Sequence, residues 1–268
     1  MITARHMSDT PETSGSIEVV ETLKNGFDRL TRRSGLLLVG IYFVFFLVNT
    51  ATSFSIVGQV FRQFGPGTMG PGSQFGQMNP YVGSGGVTGG ITLPLPLPVL
   101  AVLAIALSVG GVYLSLIAAR TLASEHEESI PEPFYKRNAV SGVLNLIAGG
   151  IITGIAVFIG LILLVVPGIF LMIGFAFFQV IVSVEDAPFM DAISESWEMA
   201  KGNRLDIFLL GVGIFAISIV VNIVAGIAAF QPVLNQLVTS ATQAFMVVFV
   251  TAVLADAYLQ LGGEPVEA

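Results

Sequence analysis

The side chains that could do chemistry are few in this sequence and lie far apart. There is no cysteine, which excludes a thiolate metal site and a cysteine nucleophile. The two histidines, His6 and His126, lie in separate polar segments, so neither a histidine metal site nor a catalytic triad is indicated. Inside the apolar segments, carboxylates occur only near the ends, at Asp206 and Asp256. We therefore predict that the protein is not an enzyme and needs no cofactor or metal ion.

Uncharged polar residues recur within the apolar segments and allow two interpretations. They could hold helices together through hydrogen bonds between helices, which is the commoner use of such residues in membranes. They could also line a polar cavity for an uncharged or lipid-like ligand. The residues concerned are Asn145, Gln179, Asn222, Asn235, Gln236, Thr239, Thr242 and Gln243.

The composition indicates a protein that is embedded in a membrane. Mean hydropathy is +0.85 and only 11% of the residues are charged, against about 25% in an ordinary soluble domain. The apolar runs are apolar on all sides, which favours spanning helices over the alternating strands of a barrel. We predict an all-α membrane protein with six transmembrane helices and two amphipathic surface helices. The predicted spans are 35–60, 99–123, 139–166, 169–184, 206–230 and 233–261.

The segments between the spans have distinct characters. Residues 17–34 place Val20, Leu23, Phe27 and Leu30 at helical spacing, which predicts an amphipathic helix on the membrane surface. Residues 188–202 predict a second, in-plane helix, with the single tryptophan, Trp197, as its interfacial anchor. The glycine-rich residues 62–92 predict a flexible outer loop, with a ligand-binding lid as the alternative.

The two ends of the chain are polar. Residues 1–16 form a predicted disordered tail, and residues 262–268 an acidic tail. The first of these lacks the apolar core and the cleavage site of a signal peptide, so we expect the first span to act as an uncleaved insertion signal.

The distribution of charge predicts an orientation. With both termini inside, every lysine and arginine except Arg62 falls on the inner side, as the positive-inside rule requires. We therefore expect a multi-pass protein of the plasma membrane with both termini in the cytoplasm. The low isoelectric point, 4.7, is typical of the acidic proteins of archaea that live in high salt.

An internal repeat brings two charged residues into equivalent positions. The order of surface helix, span and span occurs in 17–123 and again in 188–261, and it aligns Arg120 with Asp256. Unpaired charge near hydrocarbon is costly. The hypothesis is that Arg120 and Asp256 pair, or that each meets another partner; simple snorkelling to the interface is the alternative.

The region 139–262 resembles a known membrane-domain family. The matching residues are Pro167-Gly168, expected to close a tight hairpin, then Phe175 to Phe178, Glu185, Ala192, Ser196-Trp197, Lys201-Gly202, Arg204 and Ala255 to Leu259. They resemble the multi-pass domain that is fused to some glycerophosphodiester phosphodiesterases and that also stands alone in bacteria and archaea. The resemblance implies a fold and a membrane location. It implies no hydrolysis, because the catalytic barrel of those enzymes is a separate domain.

These observations lead to one expected function and one alternative. We expect a non-enzymatic scaffold or accessory subunit that works with membrane lipids and either a protein partner or further copies of itself, and not with nucleic acid. The alternative is a small permease or exporter component, or a lipid-handling protein, for an apolar or uncharged solute.

Overall fold

Helix dominates the structure, a computed structural model that describes residues 17–64, 90–124, 126, 128–227 and 231–266. Helices make up 83% of these residues, and no strand occurs among them. In chain order the helices are α1 (Val19–Thr31), α2 (Arg33–Phe64), α3 (Leu97–Leu122), α4 (Glu132–Lys136), α5 (Ala139–Leu163), α6 (Val165–Gly174), α7 (Phe178–Glu185), α8 (Phe189–Ala200), α9 (Arg204–Ile227) and α10 (Pro232–Gln260).

Six helical stretches of the described chain are long and apolar enough to cross a membrane. They are α2, α3, α5, α6 together with α7 (Val165–Glu185), α9 and α10. The predicted class, an all-α protein with six spanning helices and two shorter amphipathic ones, is confirmed. The predicted tail 1–16 and most of the predicted loop 62–92 lie outside the described residues.

The turn between the third and fourth spans is not where the sequence suggested. The extended residue is Leu164, with φ −159° and ψ 139°, and α6 begins immediately after it. Pro167 and Gly168 therefore lie in the first turn of α6, where a proline needs no amide hydrogen. Gly168 serves close packing instead, because a Cβ there would lie 2.4 Å from Cγ of Leu161 on α5.

The fourth span, predicted as one continuous run, is interrupted at 175–177. The side chain of the buried Ser196, on α8, joins the two sides of this break. Its hydroxyl donates to the Gly174 carbonyl at 3.0 Å and accepts from the Phe177 amide at 3.2 Å. Backbone groups at membrane depth need such partners wherever a helix breaks. The amphipathic helix α8 is therefore part of the packing that holds the fourth span together.

Helix α1 contacts the bundle through a face that includes small, polar and apolar residues. Thr22, Gly26 and Leu30 are buried, whereas Val20 is 81% exposed and Phe27 is 49% exposed. Gly26 lies against α10 so closely that a Cβ would be 2.3 Å from Cγ2 of Val253. The apolar residues Val20 and Phe27 thus point away from the bundle, as suits a helix that faces lipid on its outer side.

At the opposite end of the bundle, polar side chains of α2 and α10 bind residues 90–96. The side chain of Gln236 accepts from the Ile91 amide at 2.6 Å and donates to the Ile91 carbonyl at 3.3 Å. Ser55 accepts from the Leu93 amide at 2.7 Å, and Gln59 donates to the Leu95 carbonyl at 2.7 Å. For Gln236, therefore, the hydrogen-bonding interpretation describes what the residue does.

The fit of α1 onto α10 gives a first prediction. Gly26→Ala should lower the free energy of unfolding by about 1–3 kcal/mol, because its methyl group has no room against Val253. The measurement is thermal unfolding in detergent. Gly40→Ala on α2 is the matched control, since a Cβ at Gly40 meets nothing within 4 Å. Equal melting temperatures for the two variants would contradict the close packing of α1.

Candidate functional site

Arg120, near the end of α3, is fully buried and has all of its hydrogen-bonding nitrogens in use. Nε donates to the Ser183 carbonyl at 2.7 Å. Nη1 donates to the carbonyls of Phe134 and Arg137, at 3.0 and 2.7 Å. Nη2 donates to the carboxylate of Asp186. A buried cation is tolerated only when it is paired and hydrogen-bonded in this way, so this contact is structural.

Asp186 pairs with a second cation, Arg137, as well as with Arg120. Its backbone is left-handed, with φ 55°, directly after α7. The carboxylate accepts from Nε of Arg137 at 2.9 Å and from the side-chain amide of Asn138 at 3.3 Å. The linker between α3 and α5 is thereby fastened to the end of the fourth span.

Asp256 is the centre of a second polar cluster, which joins α1 to α10. Its carboxylate accepts from Arg29 at 3.2 Å, from Asn25 at 3.2 Å and from Gln260 at 2.8 Å. Arg29 also donates to the carbonyl of Leu122, at the end of α3, at 2.7 Å. Arg120 and Asp256 therefore do not pair with each other, and each has another partner, Asp186 and Arg29 respectively.

A pair of carboxyl groups, Glu185 and Glu195, interacts where the end of α7 meets α8. The Tyr258 hydroxyl donates to Glu185 at 2.6 Å. Partial burial raises the pKa of Glu195 above its ordinary value, and the charge and hydrogen bonding of Glu185 raise that pKa further. Glu185, proposed from the sequence as a structural residue, is thus the point where α7, α8 and α10 meet.

Trp197 and Arg204 form an aromatic stack on α6. The Trp197 ring lies edge-on to Phe170, with 5.5 Å between centroids, and against Gly174, where a Cβ would be 2.4 Å from the indole. The Arg204 guanidinium lies 4.1 Å from the Phe170 ring centre and 4.8 Å from that of Trp197. Trp197, predicted as an interfacial anchor, therefore packs on protein and holds a cation in place.

An apolar groove runs beside this stack, between α6, α9 and α10. Its volume is about 410 Å³. Every residue that lines it is apolar, namely Ile169, Met172, Ile173, Ala176, Ile207, Phe208, Leu210, Gly211, Val212, Ile214, Phe215 and Leu254. Such a groove excludes polar chemistry and suits an apolar chain.

The remaining candidates from the sequence lie on the surface. Lys201 is exposed and pairs with Glu198 at 3.3 Å. Gly202 has φ 97°, the left-handed conformation that ends α8 and that glycine adopts most readily. Sequence reasoning did not identify Arg29, the groove or the partner of Tyr258, a residue it had named only within the resemblance, because each depends on which helices become neighbours.

The helices and the groove define this chain as an all-α, multi-pass membrane protein with a lateral apolar site. A family model described as a domain of unknown function, DUF7847, matches residues 17–261, so the chain belongs to that family. No curated protein and no solved structure matches the chain. The resemblance to the phosphodiesterase-linked membrane domain stays a prediction.

The buried Arg120 gives a second prediction. Asp186→Asn should cost about 3–5 kcal/mol of stability, because Arg120 then loses its carboxylate while it remains buried. Asparagine tolerates the left-handed backbone at this position, so the lost stability results from the missing negative charge and not from backbone strain. Size-exclusion chromatography and thermal unfolding measure it. Lys136→Gln, which breaks an exposed pair with Glu132, is the control and should cost less than about 1 kcal/mol; a similar cost in both variants would contradict the account.

The raised pKa of Glu195 gives a third prediction. Because the pKa of Glu195 is raised in the folded state, the folded state binds a proton on Glu195 more readily than the unfolded state does. The contribution of Glu195 to the free energy of unfolding therefore falls as the pH rises above 4.5, the ordinary pKa of a glutamate. Glu195→Gln should therefore raise the melting temperature at neutral pH, and the gain should shrink as the pH approaches 4.5 from above. The control is Glu198→Gln, which removes an exposed carboxylate of the same helix. A gain for Glu195→Gln that does not change with pH would refute this explanation.

Proposed function

We propose that this protein is a non-enzymatic scaffold or accessory subunit of the plasma membrane, with both termini in the cytoplasm, which acts by holding a membrane lipid at its side. The observation that supports the proposal most directly is the groove between α6, α9 and α10, which is apolar throughout. A lipid chain matches that lining, and a volume of about 410 Å³ is within the range of small-molecule sites.

The position of α9 supports a lateral site. Only 11% of its most apolar window is buried, the lowest share among the six spans. The helix touches the rest of the bundle along one edge, and its other faces are open to the bilayer. A lipid could therefore enter the groove from the side, without crossing the protein.

The charged clusters support a structural use of the polar residues. At one end of the bundle, Arg120 pairs with Asp186 and Arg29 pairs with Asp256. Both arginines also donate hydrogen bonds to backbone carbonyls. Their hydrogen-bonding capacity is spent on holding helices and linkers in place. What the protein offers to a ligand is thus an apolar surface on a rigid frame, which fits a scaffold better than a catalyst.

Lipid handling, in which the protein exchanges lipid rather than retaining it, is the second candidate. It is favoured by the break at 175–177, because α6 forms one wall of the groove and is joined to α7 through non-helical residues. A wall attached in this way can move without unfolding a helix once the two hydrogen bonds of Ser196 across the break are released. The rate at which bound lipid exchanges with free vesicles separates the two functions: slow exchange indicates a scaffold, and fast exchange indicates handling.

Extraction from native membranes in a lipid-preserving copolymer, followed by mass spectrometry, tests the proposal. We expect a lipid that is retained stoichiometrically and enriched over the bulk membrane extract, which serves as the control. A stoichiometric protein partner in addition would identify the accessory-subunit form. Lipid in the bulk proportions only would overturn a function based on lipid binding.

A further inference from the structure

Arg204 lacks the carboxylate partner that several other cations of the described chain have. Arg29, Arg120 and Arg137 pair with carboxylates, as do Lys136 and Lys201. Among the described residues, by contrast, no carboxylate pairs with Arg204, and its buried Nε has no hydrogen-bond partner. A guanidinium with unused donors in a partly apolar surrounding is a site for an anion.

The aromatic stack fixes the orientation of this cation. The guanidinium lies over the rings of Phe170 and Trp197, at 4.1 and 4.8 Å. Nε is buried, but Nη1 and Nη2 are not among the buried atoms, and no residue of the described chain accepts a hydrogen bond from them. The two Nη groups are therefore available to bind phosphate oxygens in a bidentate manner.

The cation lies at one end of the groove. Ile207 and Phe208 follow Arg204 by three and four residues, so all three share one side of α9, and both apolar residues line the groove. On the other wall, Phe170 directly follows the lining residue Ile169. One continuous surface thus runs from a cation into an apolar channel.

The length of this surface matches one leaflet of a bilayer. From Arg204 to Phe215, the last lining residue on α9, the helix rises about 16 Å. Half of a bilayer's hydrocarbon core is about 15 Å thick.

From these observations we infer that the groove binds one anionic phospholipid, with its phosphate on Arg204 and an apolar chain between α6 and α9. This inference rests on the proposed lipid-binding function and adds the class of lipid and the residue that selects it. The net charge of −7 repels anionic lipids in general, so selection has to come from a local cation of this kind.

The test uses the full-length protein in detergent and native mass spectrometry. The probes are phosphatidylglycerol and phosphatidylcholine with identical chains, and inorganic phosphate as the free anion. Arg204→Gln removes the cation, and Arg204→Lys keeps the positive charge but not the planar guanidinium that can bind two phosphate oxygens at once. Lys201→Gln is the matched control, because it removes a cation three residues away in sequence that already has a partner.

A second pair of variants tests the groove itself. Gly211 lines the groove, and a Cβ built there meets nothing within 4 Å, so Gly211→Phe places an aromatic ring in the groove from a backbone position that has room for a side chain. Gly226 lies on the same helix outside the groove and also has open space around its Cβ. Gly226→Phe is therefore the control for an added aromatic side chain. Unfolding temperatures of all variants verify that each is folded.

The expected results are specific for each variant. The wild type should retain phosphatidylglycerol over phosphatidylcholine. Arg204→Gln should reduce this preference by about tenfold, the loss of one charge-assisted interaction, and Arg204→Lys should restore part of it. Lys201→Gln should behave as the wild type does. Gly211→Phe should reduce the retention of both lipids, whereas Gly226→Phe should not.

Three results would overturn the inference in different ways. Equal retention of both lipids by the wild type, with loss of both in Gly211→Phe, would remove the anionic selectivity and leave the lipid-binding function standing. Retention that does not change in Gly211→Phe would remove the groove, and the proposed function with it. Displacement of the lipid by inorganic phosphate alone would also refute the inference, because the apolar chain would then contribute nothing.

Discussion

The complete burial of the Arg120 guanidinium is the constraint on which the rest of the structure depends. A cation removed from water needs a carboxylate and several further acceptors, and Arg120 obtains them from the linker after α3 and from the end of α7. These contacts bring the first half of the chain against the fourth span. Asp256 does the equivalent at α1, where Arg29 reaches both Asp256 and the end of α3. Together the two clusters make one end of the bundle a rigid frame.

The walls of the proposed lipid-binding groove on α6 and α9 carry no residue of these two clusters. α6 and α9 lie at the edge of the bundle, and both present apolar surface that the protein itself does not cover. The stack of Arg204 on Phe170 and Trp197 joins that surface to α8, and Ser196 joins α8 to the break in the fourth span. Helix α8, which stabilises the interrupted span through Ser196, thus also holds Arg204 beside the groove through Trp197, so packing and the proposed binding share a helix.

Hydropathy alone was enough to predict the six spans, because the length and composition of an apolar run decide whether it can cross a bilayer. The partners of Arg120 and Asp256 were not predictable, since partner choice depends on which helix ends meet in space. The turn at Leu164 was not predicted because a Pro-Gly pair such as Pro167-Gly168 is typical of turns. Proline is also common in the first turn of a helix, which is where Pro167 lies. Trp197 was singled out as the single tryptophan of the predicted in-plane helix, and Arg204 from the resemblance. The groove beside them was not predicted, because its walls come from segments distant in sequence.

Photo-crosslinking tests the central claim, a lateral site for a lipid, most directly. An anionic phospholipid with a photoreactive group in its apolar chain would be added to the membrane-embedded protein, and the adducts located by peptide mapping. The account predicts adducts concentrated on α6 and on the first half of α9, the two walls of the groove. Adducts spread over all exposed apolar helices, including the outward faces of α3 and α5, would show ordinary solvation by lipid and contradict it.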